Sequence, residues 1–216
     1  MLRILAIGAH PDDLEMGCAG TLLKHKHAGD QVTVVITTKG GYGSRDWNTI
    51  EGEMRHAQEI MGLEYIVLDN PCGHYRTEWK TVSELDHIIA ERKIDTIYTH
   101  WSGDSHQDHQ VAFKNTLAAA RTKRIRSLYS FEIPDYSYRS REVFAARRYV
   151  DITQYIDQKL EVIAAYETYT QEHHLTVTRA LAAQRGLTCG LSRFAEAFEV
   201  IFETWIDDHL PPNAGP

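Results

Sequence analysis

Apolar residues fall into short runs and helical stripes that alternate through residue 133. Leu2 to Gly8 (LRILAIG) is a compact apolar run ending in glycine, which reads as a buried strand. Leu14 to Ala28 carries helical spacing and stops at Gly29-Asp30. Gln31 to Thr37 (QVTVVIT) is β-branched and reads as a second strand. The glycine-rich loop Lys39 to Asn48 follows, then a helix over Ile50 to Met61 that ends at Gly62. Tyr65 to Leu68 predicts a third strand, and an irregular stretch runs from Asp69 to Trp79. A helix over Thr81 to Arg92 leads to a fourth strand, Ile94 to His100. Val111 to Thr122 is helical, and a fifth strand, Leu128 to Ile133, is ended by Pro134.

Strand and helix in strict alternation mean βαβ units: a mostly parallel sheet with helices on both faces. In such sheets the site lies beyond the carboxyl ends of the strands. That rule points to Ala9–Glu15, Thr38–Asn48, Asp69–Trp79 and His100–His109. After Pro134 the pattern changes to a helical and extended appendage. Tyr136 to Arg148 reads as loop and extended chain, and Ile152 to Tyr169 as a helix with Asp151 as N-cap. Leu175 to Gln184 is helical, Phe198 to Trp205 a last strand, and HLPPNAGP a loose tail.

At 216 residues the chain has the size of one domain, and 43% hydrophobic with 25% charged residues is the composition of a globular protein. The formal charge of −7 disfavours nucleic acid as a partner, because phosphate backbones need a basic face. Three scattered cysteines, Cys18, Cys72 and Cys189, argue against a disulfide framework and fit a reducing cytoplasm. No run approaches the roughly 18–20 apolar residues of a membrane span, and the first apolar run is too short for a secretion signal. Neither a P-loop nor a GxGxxG follows a strand, so nucleotide binding has no support. The composition holds 12 histidines, which directs the search to metal and acid–base chemistry.

Two clusters carry that chemistry. Ala9-His10-Pro11-Asp12-Asp13-Leu14-Glu15 follows strand one, and His100-Trp101-Ser102-Gly103-Asp104-Ser105-His106-Gln107-Asp108-His109 follows strand four. In a doubly wound sheet the loops after these strands flank the switch point, where they can meet. Hydrolytic zinc takes three protein ligands and keeps a position for water. His10, Asp13 and His109 supply two imidazoles and a carboxylate. Asp12 is then spare, beside the ligands, to take a proton from water. His106 is a candidate to stabilise or protonate a reacting oxygen or nitrogen, and Asp104 or Asp108 to fix a histidine tautomer. The ordinary alternative is a turn with Asp12 or Asp13 capping the next helix.

These residues resemble the AHPDD and HxDH motifs of the LmbE-like, N-acetylglucosaminyl-phosphatidylinositol de-N-acetylase (PIG-L) superfamily. The resemblance extends to Leu14–Thr21, to Glu53–Gly62 and to Gly186–Phe198, nearly the whole chain. It implies one Rossmann-like domain over 1–216, with 1–133 the α/β part, 134–208 the appendage and 209–216 the tail. It also implies a zinc-dependent deacetylase acting on compounds that contain N-acetylglucosamine, with ferrous iron suited to the same His₂Asp set. By this resemblance His10, Asp13 and His109 bind the metal, and Asp12 is the general base. His106 polarises the carbonyl or stabilises the oxyanion, and Arg55 sits near the sugar or its aglycone. Family members often assemble, so a homo-oligomer is expected. Cys72 stands where an Asp is common and Phe194 where a Tyr is frequent, differences that bear on specificity.

Other residues have plainer readings. Arg55 with Glu59 is a helical ion pair by spacing alone. His25, His27, His56, His74 and His87 are solvated residues, and His173-His174 similar. Trp101 packs the site wall or stacks on a sugar. Tyr136, Tyr138, Arg139 and Arg141 are a substrate rim or a solvated loop. A metal-dependent phosphoesterase and a sugar-binding module without catalysis are the competing functions; the first usually recruits two metals and more carboxylates.

Overall fold

A computed structural model describes residues 1–40, 45–137, 139–190 and 192–204, without the side chain of Asp135. Its seven strands are β1 (Arg3–Gly8), β2 (Gln31–Lys39), β3 (Glu64–Pro71), β4 (Thr96–His100), β5 (Ser127–Phe131), β6 (Arg148–Asp151) and β7 (Ala195–Glu203). The helices are α1 (Asp13–His27), α2 (Trp47–Met61), α3 (Trp79–Glu91), α4 (Gln107–Ala120), a short α5 (Pro134–Ser137), α6 (Ile156–Ala164) and α7 (Glu172–Cys189).

The strands form one sheet in the order β3-β2-β1-β4-β5-β7-β6. Strands β1 to β5 are parallel, while β7 runs antiparallel to β5 and β6 antiparallel to β7. The chain steps outward from β1 to β2 and β3, then returns to place β4 on the other side of β1. The carboxyl ends of β1 and β4 therefore sit side by side at the switch point.

Strand alternation divides the core. Ile4 and Ala6 join Leu14, Leu22, Val34 and Ile36 on one face, while Leu5 and Ile7 join Val35, Leu85, Ile89 and Ile97 on the other. Helix α1 lies close on the sheet because it carries glycine there. A Cβ on Gly17 would stand 2.3 Å from the Phe131 ring, and one on Gly20 would stand 2.8 Å from Ile152. Between these glycines and the amino end of β7 lies a buried ion pair. Lys159 Nζ donates to Glu196 Oε1 at 2.6 Å and to the Met16 carbonyl at 2.8 Å. The Glu196 carboxylate also accepts from the Gly20 and Thr21 amides at 2.9 and 2.7 Å. This knot joins α1, α6 and β7.

The segment after Pro134 differs from the sequence expectation in four respects. Residues 152–169 are not one helix: only Ile156–Ala164 is α6. Asp151 is not its N-cap. It ends β6, and its carboxylate accepts from the Thr153 amide, Thr153 Oγ1 and Ser192 Oγ in a turn. Strand β6 (RYVD) was missed, since four half-exposed residues give too little alternation to read. The last strand starts at Ala195, three residues before the expected Phe198. Together β6 and β7 continue the sheet rather than forming a separate layer. The expected tail 209–216, Trp205 and Tyr138 lie outside the described residues, as do residues 41–44 of the glycine-rich loop.

Candidate active site

The two motif clusters meet at the switch point. His10 and Asp13 sit on the turn from β1 into α1, and His106 and His109 at the start of α4, which begins at Gln107 rather than the expected Val111. The turn is tight because Asp12, the residue before α1, has φ of 95°, a left-handed conformation for a non-glycine. Its carboxylate makes no capping bond to the helix, which sets aside the ordinary alternative of Asp12 as an N-cap, and the residue lines a cavity of about 90 Å³. Asp13 lies in the first turn of α1, where its Oδ2 accepts from the His10 amide at 2.6 Å.

Three donor groups converge. His10 Nδ1 is 3.3 Å from Asp13 Oδ2, His109 Nε2 is 3.2 Å from Asp13 Oδ1, and the two ring nitrogens are 3.3 Å apart. Each ring has a carboxylate on its other nitrogen. Asp108 Oδ2 is 3.0 Å from His10 Nε2, and Asp104 Oδ2 is 3.0 Å from His109 Nδ1. Asp108 also accepts from the Gly73 amide at 2.7 Å. In neutral rings the outer carboxylates favour the protons on the outer nitrogens, which turns the lone pairs of His10 Nδ1 and His109 Nε2 toward each other and Asp13. Four ligands at zinc-to-nitrogen and zinc-to-oxygen distances of about 2.0–2.1 Å are spaced about 3.3 Å from one another in a tetrahedron. The observed spacings fit a small divalent ion, and the outer carboxylates are the partners that ligating histidines usually have.

Without an ion, the same carboxylates and Asp13 favour a proton on the inward nitrogens as well, which a bound cation would displace. Burial disfavours a charged His109, yet Asp13 and Asp104 outweigh it and pull the ring up to about 9. His10 is likewise raised well above its ordinary value by Asp13 and Asp108 against burial. Burial alone would raise Asp13, but His109, His100 and His10 hold its carboxyl well below the usual range. Asp12 goes the other way: burial and the neighbouring Asp13 push it well up, with His10 and Arg45 opposing. Two adjacent carboxyl groups are thus driven apart, one fixed as an anion and one shifted upward as a proton acceptor would be.

His106 caps α4, its Nδ1 accepting from the Asp108 amide at 3.2 Å. Burial and the neighbouring His109 lower its pKa to about 4, so the ring is neutral near pH 7 and its Nε2 carries the proton. Three overlapping sets of side chains have metal-ligand proximity among the described residues: His10 with His106 and His109, His10 with Cys72 and Asp108, and Asp13 with His100 and His109.

His100 received no role in the sequence reading. Wholly buried, it stacks on His109 with centroids 4.0 Å apart, and its Nε2 accepts from the Ala9 amide at 2.9 Å, with Asp13 Oδ2 lying 3.1 Å from the same nitrogen. Only its place at the end of β4 signalled it. Arg55 does not line the cavity. Its side chain is 67% exposed and pairs with Glu51, one turn before it, not with Glu59. The cation that does line the cavity is Arg45, together with Ile50, Cys72, Tyr136 and Tyr169. Trp101 is buried edge-on to Phe144 and does not line the cavity, and Phe194 lies in a separate apolar cluster with Ile152 and Ile156, so its missing hydroxyl is no loss to the cavity.

The sequence profile of the family described as PIG-L, GlcNAc-PI de-N-acetylase, matches residues 5–120. The chain is 32% identical over 139 residues to the uncharacterized deacetylase YaiS of Escherichia coli K12, covering 61% of this chain and 74% of that protein. It is 27% identical over 157 residues to the 1D-myo-inositol 2-acetamido-2-deoxy-alpha-D-glucopyranoside deacetylase of Corynebacterium glutamicum, covering 57% of this chain and 54% of that protein. Two solved structures share the fold. The N,N'-diacetylchitobiose deacetylase of Pyrococcus horikoshii has a TM-score of 0.77 at 17% identity, covering 92% of this chain and 83% of that one. GalB, the 4-carboxy-2-hydroxymuconate hydratase of Pseudomonas putida KT2440, has a TM-score of 0.82 at 20% identity, covering 97% of this chain and 100% of that one. A deacetylase and a hydratase thus share this architecture, and the fold by itself does not fix the reaction. The family profile spans most of the α/β part, including both motif clusters, and on that ground the chain belongs to the PIG-L family of de-N-acetylases.

Proposed function

We propose that this chain removes the N-acetyl group of an N-acetylglucosamine-type amino sugar or its conjugate by metal-dependent hydrolysis, releasing acetate and a free amine. The observation that carries the reading is the approach of His10 Nδ1, Asp13 and His109 Nε2 to within 3.2–3.3 Å beside the buried Asp12. The names of the Corynebacterium and Pyrococcus proteins support the substrate class.

His10, Asp13 and His109 would hold the ion, with zinc the first choice and ferrous iron suited to the same donors. When bound, such an ion lowers the pKa of water to about 7 and polarises a carbonyl oxygen. Asp12 takes the proton of the attacking water as its oxygen bonds to the acetyl carbon. The neutral His106 donates Nε2–H to the oxygen that gains negative charge. Asp12 or His106 then delivers a proton to the nitrogen as the carbon–nitrogen bond breaks. Asp104 and Asp108 keep the two ligand rings in the tautomer that offers a lone pair inward.

No helix among the described residues is long and apolar enough to cross a membrane. A cytoplasmic setting and a homo-oligomer belong to the same proposal; light scattering of the purified chain reads the second. The decisive experiment is a panel of N-acetylated sugars incubated with metal-loaded protein, reading acetate and free amine together. Stoichiometric release that disappears in His109→Ala along with bound metal supports the reading. No release from any member, with the metal site filled, overturns it in favour of a phosphoesterase or a binding module.

A further inference from the structure

Arg45 has a different footing from the other basic side chains. It stands between β2 and α2, lines the cavity beside Asp12, and its side chain is only 17% exposed. No other lysine or arginine among the described residues lines that cavity. One edge of its planar fork is tied to the protein. Nε donates to Thr168 Oγ1 at 2.9 Å and Nη2 to Glu53 Oε2 at 2.9 Å. Glu53 is fixed in turn, because it also accepts from the Thr168 amide at 2.6 Å and from Thr168 Oγ1 at 3.0 Å. The guanidinium carbon lies 5.3 Å from the centre of the Tyr169 ring, itself part of the cavity wall.

A guanidinium has five N–H groups, and the tethers use two. Nη1 makes no hydrogen bond among the described residues. The tethered edge joins Nε to Nη2, so the end edge of Nη1 and Nη2 remains for a ligand. Two parallel N–H groups at that edge match the oxygens of a carboxylate or a phosphate. The fork is already held in place by Glu53, Thr168 and the Tyr169 face, so little side-chain freedom is lost on binding. Arg45 is also close enough to the site to counteract the rise in Asp12's pKa.

We propose that the end edge of Arg45 is an anion subsite, and that the substrate is an N-acetylated amino sugar carrying a carboxylate or phosphate within reach of the cavity. This deepens the deacetylase reading and rests on it for the sugar, while the anion preference stands on Arg45. Glu53 and Thr168 are positioning residues for the guanidinium. A neutral sugar leaves the edge to water and gains nothing from it.

Calorimetric binding to the metal-loaded protein tests the subsite directly. The probes are N-acetylglucosamine, its 1-phosphate, its 6-phosphate, and N-acetylmuramic acid as the carboxylate arm. A charge-assisted bond predicts that at least one acid binds about 10- to 100-fold more tightly than the neutral sugar. The ratio of acid to neutral affinity should fall toward one in Arg45→Gln, stay above one in Arg45→Lys, and shrink with added salt. The phosphate and carboxylate arms tell which acid the site takes. Equal affinity of all four probes for the wild type overturns the proposal. So does a preference that survives in Arg45→Gln with an unchanged unfolding temperature; if that variant unfolds, the Arg45→Lys and salt arms decide. Acetate release, measured separately, keeps the two readings apart. An acid preference without release damages the hydrolase reading alone, and release without an acid preference damages this one alone.

Discussion

Asp104 and His109 meet across 3.0 Å, Oδ2 to Nδ1, and both are about 1% exposed. The contact is an ion-pair approach, and a carboxylate at this distance favours the ring proton on Nδ1 and so makes Nε2 the better donor to a cation. Asp104 Oδ1 also accepts from the His106 amide at 2.8 Å, so the same side chain shapes the turn into α4.

Replacing Asp104 with Asn should therefore weaken metal binding by about 10- to 100-fold while leaving the chain folded. Competition against a chromophoric chelator measures the affinity. An Asn variant that holds zinc as tightly as the wild type removes the tautomer argument.

Asp12 combines function with local strain. A non-glycine at φ of 95° costs on the order of 1–3 kcal/mol, and its buried carboxyl adds to that. Asp12→Asn should keep the metal and lose about 10²- to 10⁴-fold in turnover, the usual weight of a positioned proton acceptor. Asp12→Gly should be equally inactive yet more stable than the wild type when both are metal-free, by about 1 kcal/mol or more. Chemical denaturation of the two proteins decides the second point, and a less stable Gly variant would remove the strain argument.

The buried pair of Lys159 and Glu196 makes a third case. Removing one partner of a buried ion pair costs about 3–5 kcal/mol, because the other charge is left uncompensated. Lys159→Met should lower stability by that amount, and adding Glu196→Gln should restore part of it. The coupling read from the double-mutant cycle is then large. A cycle that closes additively would show that the two charges do not depend on each other.

His100 gives the metal-free protein an acid limit. Burial and the neighbouring His109 hold its ring down to about 4. In the unfolded chain the ring titrates near 6.5. Between about pH 6.5 and 4 the unfolded chain takes up a proton that the folded one refuses. The stability contributed by the neutral ring is whole above 6.5 and is lost as the pH falls toward 4. From pH 6.5 to 5 the loss is about 1.5 kcal/mol. His100→Gln, whose amide oxygen can still accept from the Ala9 amide, should flatten that slope in metal-free protein. Equal slopes in the two proteins would mean that other groups carry the acid sensitivity.

The α/β order, the five parallel strands and the meeting of the two clusters were legible because each rests on local chemistry. Runs such as Leu2–Gly8 and Gln31–Thr37 declare strands, glycines such as Gly62 end helices, and the alternation fixes which strand ends face the site. His10, Asp12, Asp13, His106 and His109 could be named because they lie in two short motifs at those ends. The segment after Pro134 was read less well. Strand β6 exists because β7 offers it an edge, and Asp151 is drawn into a turn by Thr153 and Ser192, neither of which a helical pattern reveals.

The amino-acid order by itself determined the sheet, its switch point and the acidic–histidine chemistry placed there, since apolar period and turn residues act over a few positions. Only the tertiary structure decided which side chains border the cavity. Arg45 is held by Glu53 and Thr168, a residue 123 positions away, while Arg55 turns to solvent beside Glu51. The physical reason is that a site wall is built from contacts between distant segments, and no local pattern in the chain records which of two arginines finds a buried carboxylate to hold it.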